Sequence, residues 1–235
     1  MITGVAFCPQ APALVPAVGR GVDAELGPVR TACREAIRRV TAPGVRLVVV
    51  GGADRAGEYP PSARGSFAGY GVELALSLGR DGGDAAAELP PSLTVGAWLV
   101  RDALGPDSGA SGFATASGAE DPPDWHSGAD TALVVVGDGS ARRSAKAPGY
   151  ADPRSAVFDA DLVAALASGE AHRLRDAVSA DGPAGQLAGE LLVGGTSAWR
   201  LTAGQTEAAG GYRAEVLYDD APFGVGYVVA AWTAP

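Results

Sequence analysis

Two histidines, two cysteines and one lysine are all that the 235 residues hold of those types. Each shortage excludes something. Cys8 and Cys33 cannot build a disulfide framework, and a reducing compartment suits them. With Lys146 as the sole lysine, no basic block of five or more residues and a net charge of −9, the chain lacks the clustered positive charge that nucleic acids and anionic membrane surfaces demand. No apolar run approaches the ~18 residues of a membrane span. The opening MITGVAFCPQAPALVP has neither the cationic start nor the long apolar stretch of a secretory signal. A cytoplasmic location is expected, with no nucleic-acid and no membrane partner. The excess of Arg, Ala and Gly reads as genomic base composition and carries no function.

What is present describes a globular protein: 47% apolar and 19% charged residues, in a length that buries a large core. Residues 2–7 read as a strand closed by the Pro-rich CPQAPALVP. Leu26, Val29, Cys33, Ile37 and Val40 fall on one face of a helix within 23–40, whose start is expected close to Pro28, since proline belongs in a first turn. VRLVVV (45–50) and TALVVV (131–136) lack alternation, as strands covered on both faces do, and are expected to be neighbouring central strands. A further strand is read at 72–78, a helix at 92–104 capped by Ser92, a long loop at 105–130 holding a short strand at FATA, and helices at 156–167, 170–178 and 185–193. Strands at 212–218 and 225–232 form an antiparallel pair. With no repeat and no linker, residues 1–235 make one α/β domain: a mostly parallel central sheet flanked by helices, with the antiparallel pair near the C-terminus.

The familiar chemistries find little support. GDGSARRS (137–144) lacks the Walker lysine, and GGADRAG (51–57) does not match the dinucleotide fingerprint and runs into EYPPS where a helix should begin. Turn glycines at strand ends explain both. Neither Ser140 nor Ser144 sits in a nucleophile elbow. His126 lies in a loop beside Trp125, and His172 on a helix whose solvated face explains it. Cys33 belongs to an apolar stripe; Cys8, at a strand end, reads as a buried small hydrophobe or as a metal ligand or active thiol.

Four stretches, in order, resemble the LigB-type family, the catalytic-subunit fold of class III extradiol ring-cleaving dioxygenases, which also includes the Memo proteins. They are FCPQAPALVPAVG (7–19), LVVVGGADRAGEY (47–59), LVVVGDGSARRS with YADPRSAVFDADLV (133–144 and 150–163), and APFGVGYVVAAW (221–232). The resemblance implies ferrous iron on two His and one Glu, a facial triad with open positions for catechol and dioxygen, and a further His as acid/base. This chain departs from the pattern. Gln10 stands in place of the first ligand, Gly51-Gly52-Ala53-Asp54 in place of the second, and Ala141 in place of the acid/base; Gln186 and Glu190 compete for the carboxylate. A neutral amide oxygen and methyl groups do not replace imidazoles.

The sequence therefore predicts a LigB-like protein without the family's iron site and without another cofactor, binding a small polar or anionic ligand or a partner in the residual cleft. Gln10, Asp54, Arg55, Asp138 and Arg142 are the candidate binding residues; Asp138, Ser140 and His126 are the candidate catalytic ones. Gln10, the 51–54 turn and Asp138 are expected to meet at one sheet edge, because parallel strands deliver their carboxyl ends together. The alternative is an active dioxygenase or other oxidoreductase with Fe²⁺ or another divalent metal on a remodelled set drawn from Cys8, Asp54, Glu58, Asp138 and His126. Arg143 is a further charge near the same edge. Neither outcome requires or bars a homo-oligomer.

Overall fold

Strands that are apolar at every position need cover on both faces, and the chain provides helices for both. In the computed structural model, which describes residues 1–79 and 87–235, the elements are β1 (Ile2–Cys8), α1 (Asp23–Val40), β2 (Arg46–Gly52), β3 (Gly57–Tyr59), β4 (Arg64–Ser66), β5 (Ala75–Ser77), α2 (Pro91–Leu104), β6 (Ser111–Thr115), β7 (Thr131–Val136), α3 (Arg154–Ser168), α4 (Ala171–Ala177), α5 (Gly182–Glu190), α6 (Thr196–Thr206), β8 (Arg213–Asp220) and β9 (Tyr227–Thr233). Seven strands form one sheet in the order β3-β6-β2-β7-β1-β9-β8; β4 and β5 pair separately. Strands β6, β2, β7 and β1 run parallel, β3 is antiparallel to β6, and β9 and β8 complete the other side as an antiparallel pair.

The pleat divides each central strand between two cores. Val49, Val134 and Val136 face α1 and α2. Val48, Val50, Leu133 and Val135 face α3, α4 and α6, where Trp199 and Trp232 are fully buried. The expected adjacency of 45–50 and 131–136 is thus observed as β2 beside β7, both interior. No helix among the described residues is long and apolar enough to cross a membrane.

Several boundaries differ from the sequence expectation for physical reasons. Helix α1 starts at Asp23, so Pro28 lies inside it rather than at its start. Pro28 and Ala24 are both exposed, so the hydrogen bond that proline removes is lost on the solvent-facing side of the helix. Asp23 also binds the buried Arg30, whose Nη1 donates to Asp23 Oδ1 at 2.6 Å and whose Nε donates to Leu14 O at 2.7 Å. Ser92 is not the cap of α2: Pro90 holds that position, and the Ser92 hydroxyl donates instead to Gly52 O at 2.6 Å. Of 72–78 only Ala75–Ser77 is strand. The last predicted helix lies earlier, at 182–190, and α6 was not expected at all. Its Thr202 and Thr206 are buried but donate back to Ala198 O and Thr202 O, so polar letters occupy its inner face.

Helix α2 sits very close to β2. A Cβ on Gly96 would fall 2.4 Å from Val49 Cγ1, well inside contact distance. Gly96→Ala should cost about 1–3 kcal/mol by overpacking, and Val49→Ala added to it should recover part of that loss. Urea unfolding of the two variants checks this; an unchanged midpoint for Gly96→Ala would refute the close packing.

Candidate functional site

Register builds the site. Val136, the last residue of β7, pairs with Cys8 of β1 on one side and Gly51 of β2 on the other. The chain continues as Gly137, whose N–H donates to Cys8 O at 2.9 Å, and then Asp138. Gln10, Gly52, Ala53 and Asp54 therefore leave their strands beside Asp138, at the point where the strand order reverses and α/β proteins place ligands. These residues line one cavity of about 750 Å³, together with Pro12, Arg55, Tyr59, Tyr70, Glu88, Leu89, Pro90, Pro91 and Ser92.

Asp138 forms the polar floor. Its Oδ1 accepts from the backbone N–H of Gln10, 128 positions earlier, at 2.9 Å. Burial pushes its carboxyl up to about 7, against the single opposing bond from Gln10. Its backbone carbonyl is held just as firmly, accepting from Gly194 N and Gly195 N at 3.0 Å each. The Gln10 amide Nε2 donates to Gly194 O at 3.2 Å, which leaves Gln10 Oε1 buried with no partner. A carboxyl that titrates near neutrality at the floor of a cavity can give or take a proton there.

The neighbouring Gly139-Ser140 is anchored from beneath. Ser140 N and Oγ donate to the two oxygens of Asp159, at 2.9 and 2.7 Å, and Arg143 Nη1 joins Asp159 Oδ2 at 3.0 Å. Gly139 N donates to Gly226 O and Gly226 N to Ser140 O, each at 2.8 Å. Both glycines are required, since a Cβ on either would lie 2.9 Å or less from an Asp159 carboxylate oxygen.

The other sequence candidates lie elsewhere. Ser140 is fully buried with its hydroxyl committed to Asp159, so it does not open into the cavity. Arg142 is directed away, 3.8 Å from Asp152 and packed over Gly149, because the chain turns outward after Ala141. His126 belongs to the opposite edge: its carbonyl accepts from the N-terminal amine, and six residues of β7, about 20 Å, separate the two ends. His172 is exposed on α4 beside Glu170. Glu58 lines a separate depression with Arg46 and Trp125. Cys8 is buried against Cys33, whose thiol burial and the Cys8 hydrogen bond raise well above its usual range. Gln186 and Glu190 bond each other on the exposed face of α5, with Glu190 tied to Arg154. Sequence reasoning missed Tyr59, Tyr70, Glu88 and the Pro90-Pro91-Ser92 start of α2; only the Pro-Pro-Ser run before an apolar helix hinted at any of them.

The donor set does not fit a ferrous facial triad. The cavity offers carboxylates, an amide oxygen and a serine hydroxyl, with no imidazole. Among the described residues no three His, Cys, Asp or Glu side chains gather as a metal shell.

No family model and no curated protein matches the chain. Among solved structures it is similar to the crystal structure of an uncharacterized protein from Escherichia coli K12, at 14% identity and a TM-score of 0.49, over 98% of this chain and 99% of that one.

The raised Asp138 carboxyl makes stability depend on pH. Between the ordinary value of 3.8 and about 7 the folded state keeps a proton that the unfolded chain has released, so stability falls as pH rises through that window and levels off above it. From pH 5 to pH 8.5 the wild type should lose roughly 2–3 kcal/mol relative to Asp138→Asn, whose amide cannot ionise. Urea unfolding at the two pH values measures the difference; a pH-independent difference would place the Asp138 carboxyl in water.

Proposed function

We propose that this chain is a LigB-like protein that binds a small polar ligand in the cavity at the carboxyl edge of β1, β2 and β7, without the iron chemistry of that family. One observation carries the reading. Gln10, Gly52–Asp54 and Asp138, drawn from three distant parts of the sequence, line a single cavity whose floor holds a carboxyl titrating near neutrality. A cavity of this volume falls in the range of small-molecule pockets.

The resemblance gains support from contact among its four stretches. The first and third meet through Gln10 and Asp138, the second reaches the cavity at Gly52–Arg55, and the fourth bonds the third through Gly226. The Gly-Asp-x-Ser segment and the following Phe-Asp are joined directly, Asp159 holding Ser140. The positions where the resemblance calls for imidazoles carry an amide, small residues and Ala141, so the imidazole ligands of the family's iron chemistry are not at those positions. Asp138 remains as the group able to exchange a proton with whatever is bound.

Two measurements test this. Elemental analysis of protein purified without a His-tag should find iron well below one equivalent, with no oxygen uptake on catechol. Native mass spectrometry of the same preparation, and thermal shift against a panel of small polar compounds, should find a ligand whose stabilisation disappears in Ala53→Trp, which fills the cavity. Stoichiometric iron bound through Asp138 would overturn the proposal in favour of a remodelled metal centre.

A further inference from the structure

We propose that the sheet edge formed by β8 is a dimer interface, at which a second copy of this chain adds its own β8 antiparallel. The seven-stranded sheet ends on β3 at one side and on β8 at the other. Strand β3 has three residues, whereas β8 has eight and no proline, which makes it long for an edge. Helices α1 and α3 lie against its two faces, and Gly169 O accepts from Tyr212 N just ahead of it. From Arg213 to Asp220 its backbone bonds only to β9 among the described residues. One row of its N–H and C=O groups therefore faces outward unpaired.

Charge identifies the occupant. Glu215 bonds Arg39 of α1, so Arg213, two residues earlier, stands on the same face of the strand. Asp220 is opposite Tyr227, which belongs to the core beneath α1. Separated by an odd number of positions, the two charges would point to opposite faces of a regular strand. The bulge between Val216 and Tyr218 brings them to one face. A two-fold axis between Val216 and Leu217 then sets Arg213 of each copy opposite Asp220 of the other, at the ~5 Å of directly facing residues. Both side chains are exposed, and neither is in an ion pair among the described residues. Of the other two charges, Glu215 is matched by Arg39, and Asp219 turns to the α3 side beside Asp159. Charges and bulges ordinarily keep edges apart, and here they also select a register. A slip of two residues sets Glu215 against Asp220 or Arg213 against Tyr218, and forfeits both ion pairs.

Sedimentation equilibrium of the full chain over a concentration series should find twice the 23.4 kDa chain mass at the upper end. Arg213→Asp and Asp220→Arg each place like charges opposite one another twice across the axis, and each should weaken the dimer at least about tenfold. The double variant restores opposite charges and should return to within about threefold of the wild type. Both positions are exposed, and urea unfolding checks that each variant keeps its fold. Hydrogen exchange on the wild type needs no variant: amides within 213–220 should exchange more slowly at high than at low concentration. A monomer at every concentration would overturn the proposal, as would a dimer indifferent to both reversals or single losses that the double variant does not rescue. Exchange in β8 that is independent of concentration would overturn it as well, whether or not the variants fold.

Discussion

The pairing of β7 between β1 and β2 is the constraint on which the rest depends. Because Val136 is in register with both Cys8 and Gly51, the residues that follow the three strands must emerge side by side. That register is specified by burial on two faces: slipping any of the strands by one residue would exchange its two side-chain sets between cores built for different shapes. One core receives α1 and α2, the other the tryptophans and the short helices. The cavity is thus a consequence of strand packing, and its floor inherits the rigidity of the sheet centre.

That rigidity is reinforced where the backbone turns away. Asp138 is gripped at its carbonyl by Gly194 and Gly195, at its side chain by Gln10, and on its far side by the Gly139–Gly226 and Ser140–Asp159 bonds. Close approach demands glycine here. A Cβ on Gly137 would fall 2.4 Å from Gly195 Cα, and one on Gly194 would fall 2.7 Å from Gln10 Nε2. The local run Gly-Asp-Gly-Ser is therefore a packing solution first. Its side chain with freedom to act is that of Asp138, because the Ser140 hydroxyl and the N–H groups of Gly137, Gly139 and Ser140 are bound from within.

The sheet was legible because its signals are local. Continuous apolar runs marked β2 and β7, and the terminal antiparallel pair was marked by two strand-forming runs on either side of the turn DDAPFG. The convergence of Gln10, the 51–54 turn and Asp138 could be read for the same reason, since each immediately follows a strand. Ser140 and Arg142 could not be told from Asp138 by spacing. Their fates hinge on Asp159, nineteen residues beyond Ser140, and on Asp152. Within the 105–130 loop the short strand at FATA was legible and is observed as β6, but the turn after it was not. Burial alone would raise the Glu120 carboxyl, but bonds from Thr115 Oγ1 and the N–H groups of Ser117 and Ala116 outweigh it and lower it to about 2. Nothing in the letters ASGAED announces that cage. Tyr59, Tyr70 and Glu88 arrive at the cavity through β3, a short turn and the chain before α2, none of which has a periodic signature.

A carboxyl held near neutrality at the centre of a sheet edge is a stability cost above neutral pH, and a fold has cheaper ways to fill that position. Asparagine would keep the bond from Gln10 N without the penalty of ionising a buried acid. Gln10 compounds the cost with an acceptor that has no partner among the described residues. Both groups are held in a dense network of bonds. The bracing matters as much as the groups. Without the Gly194–Gly195 clamp and the Asp159 anchor, nothing would hold Asp138 at the cavity floor, and its carboxyl would return toward the ordinary value in solvent.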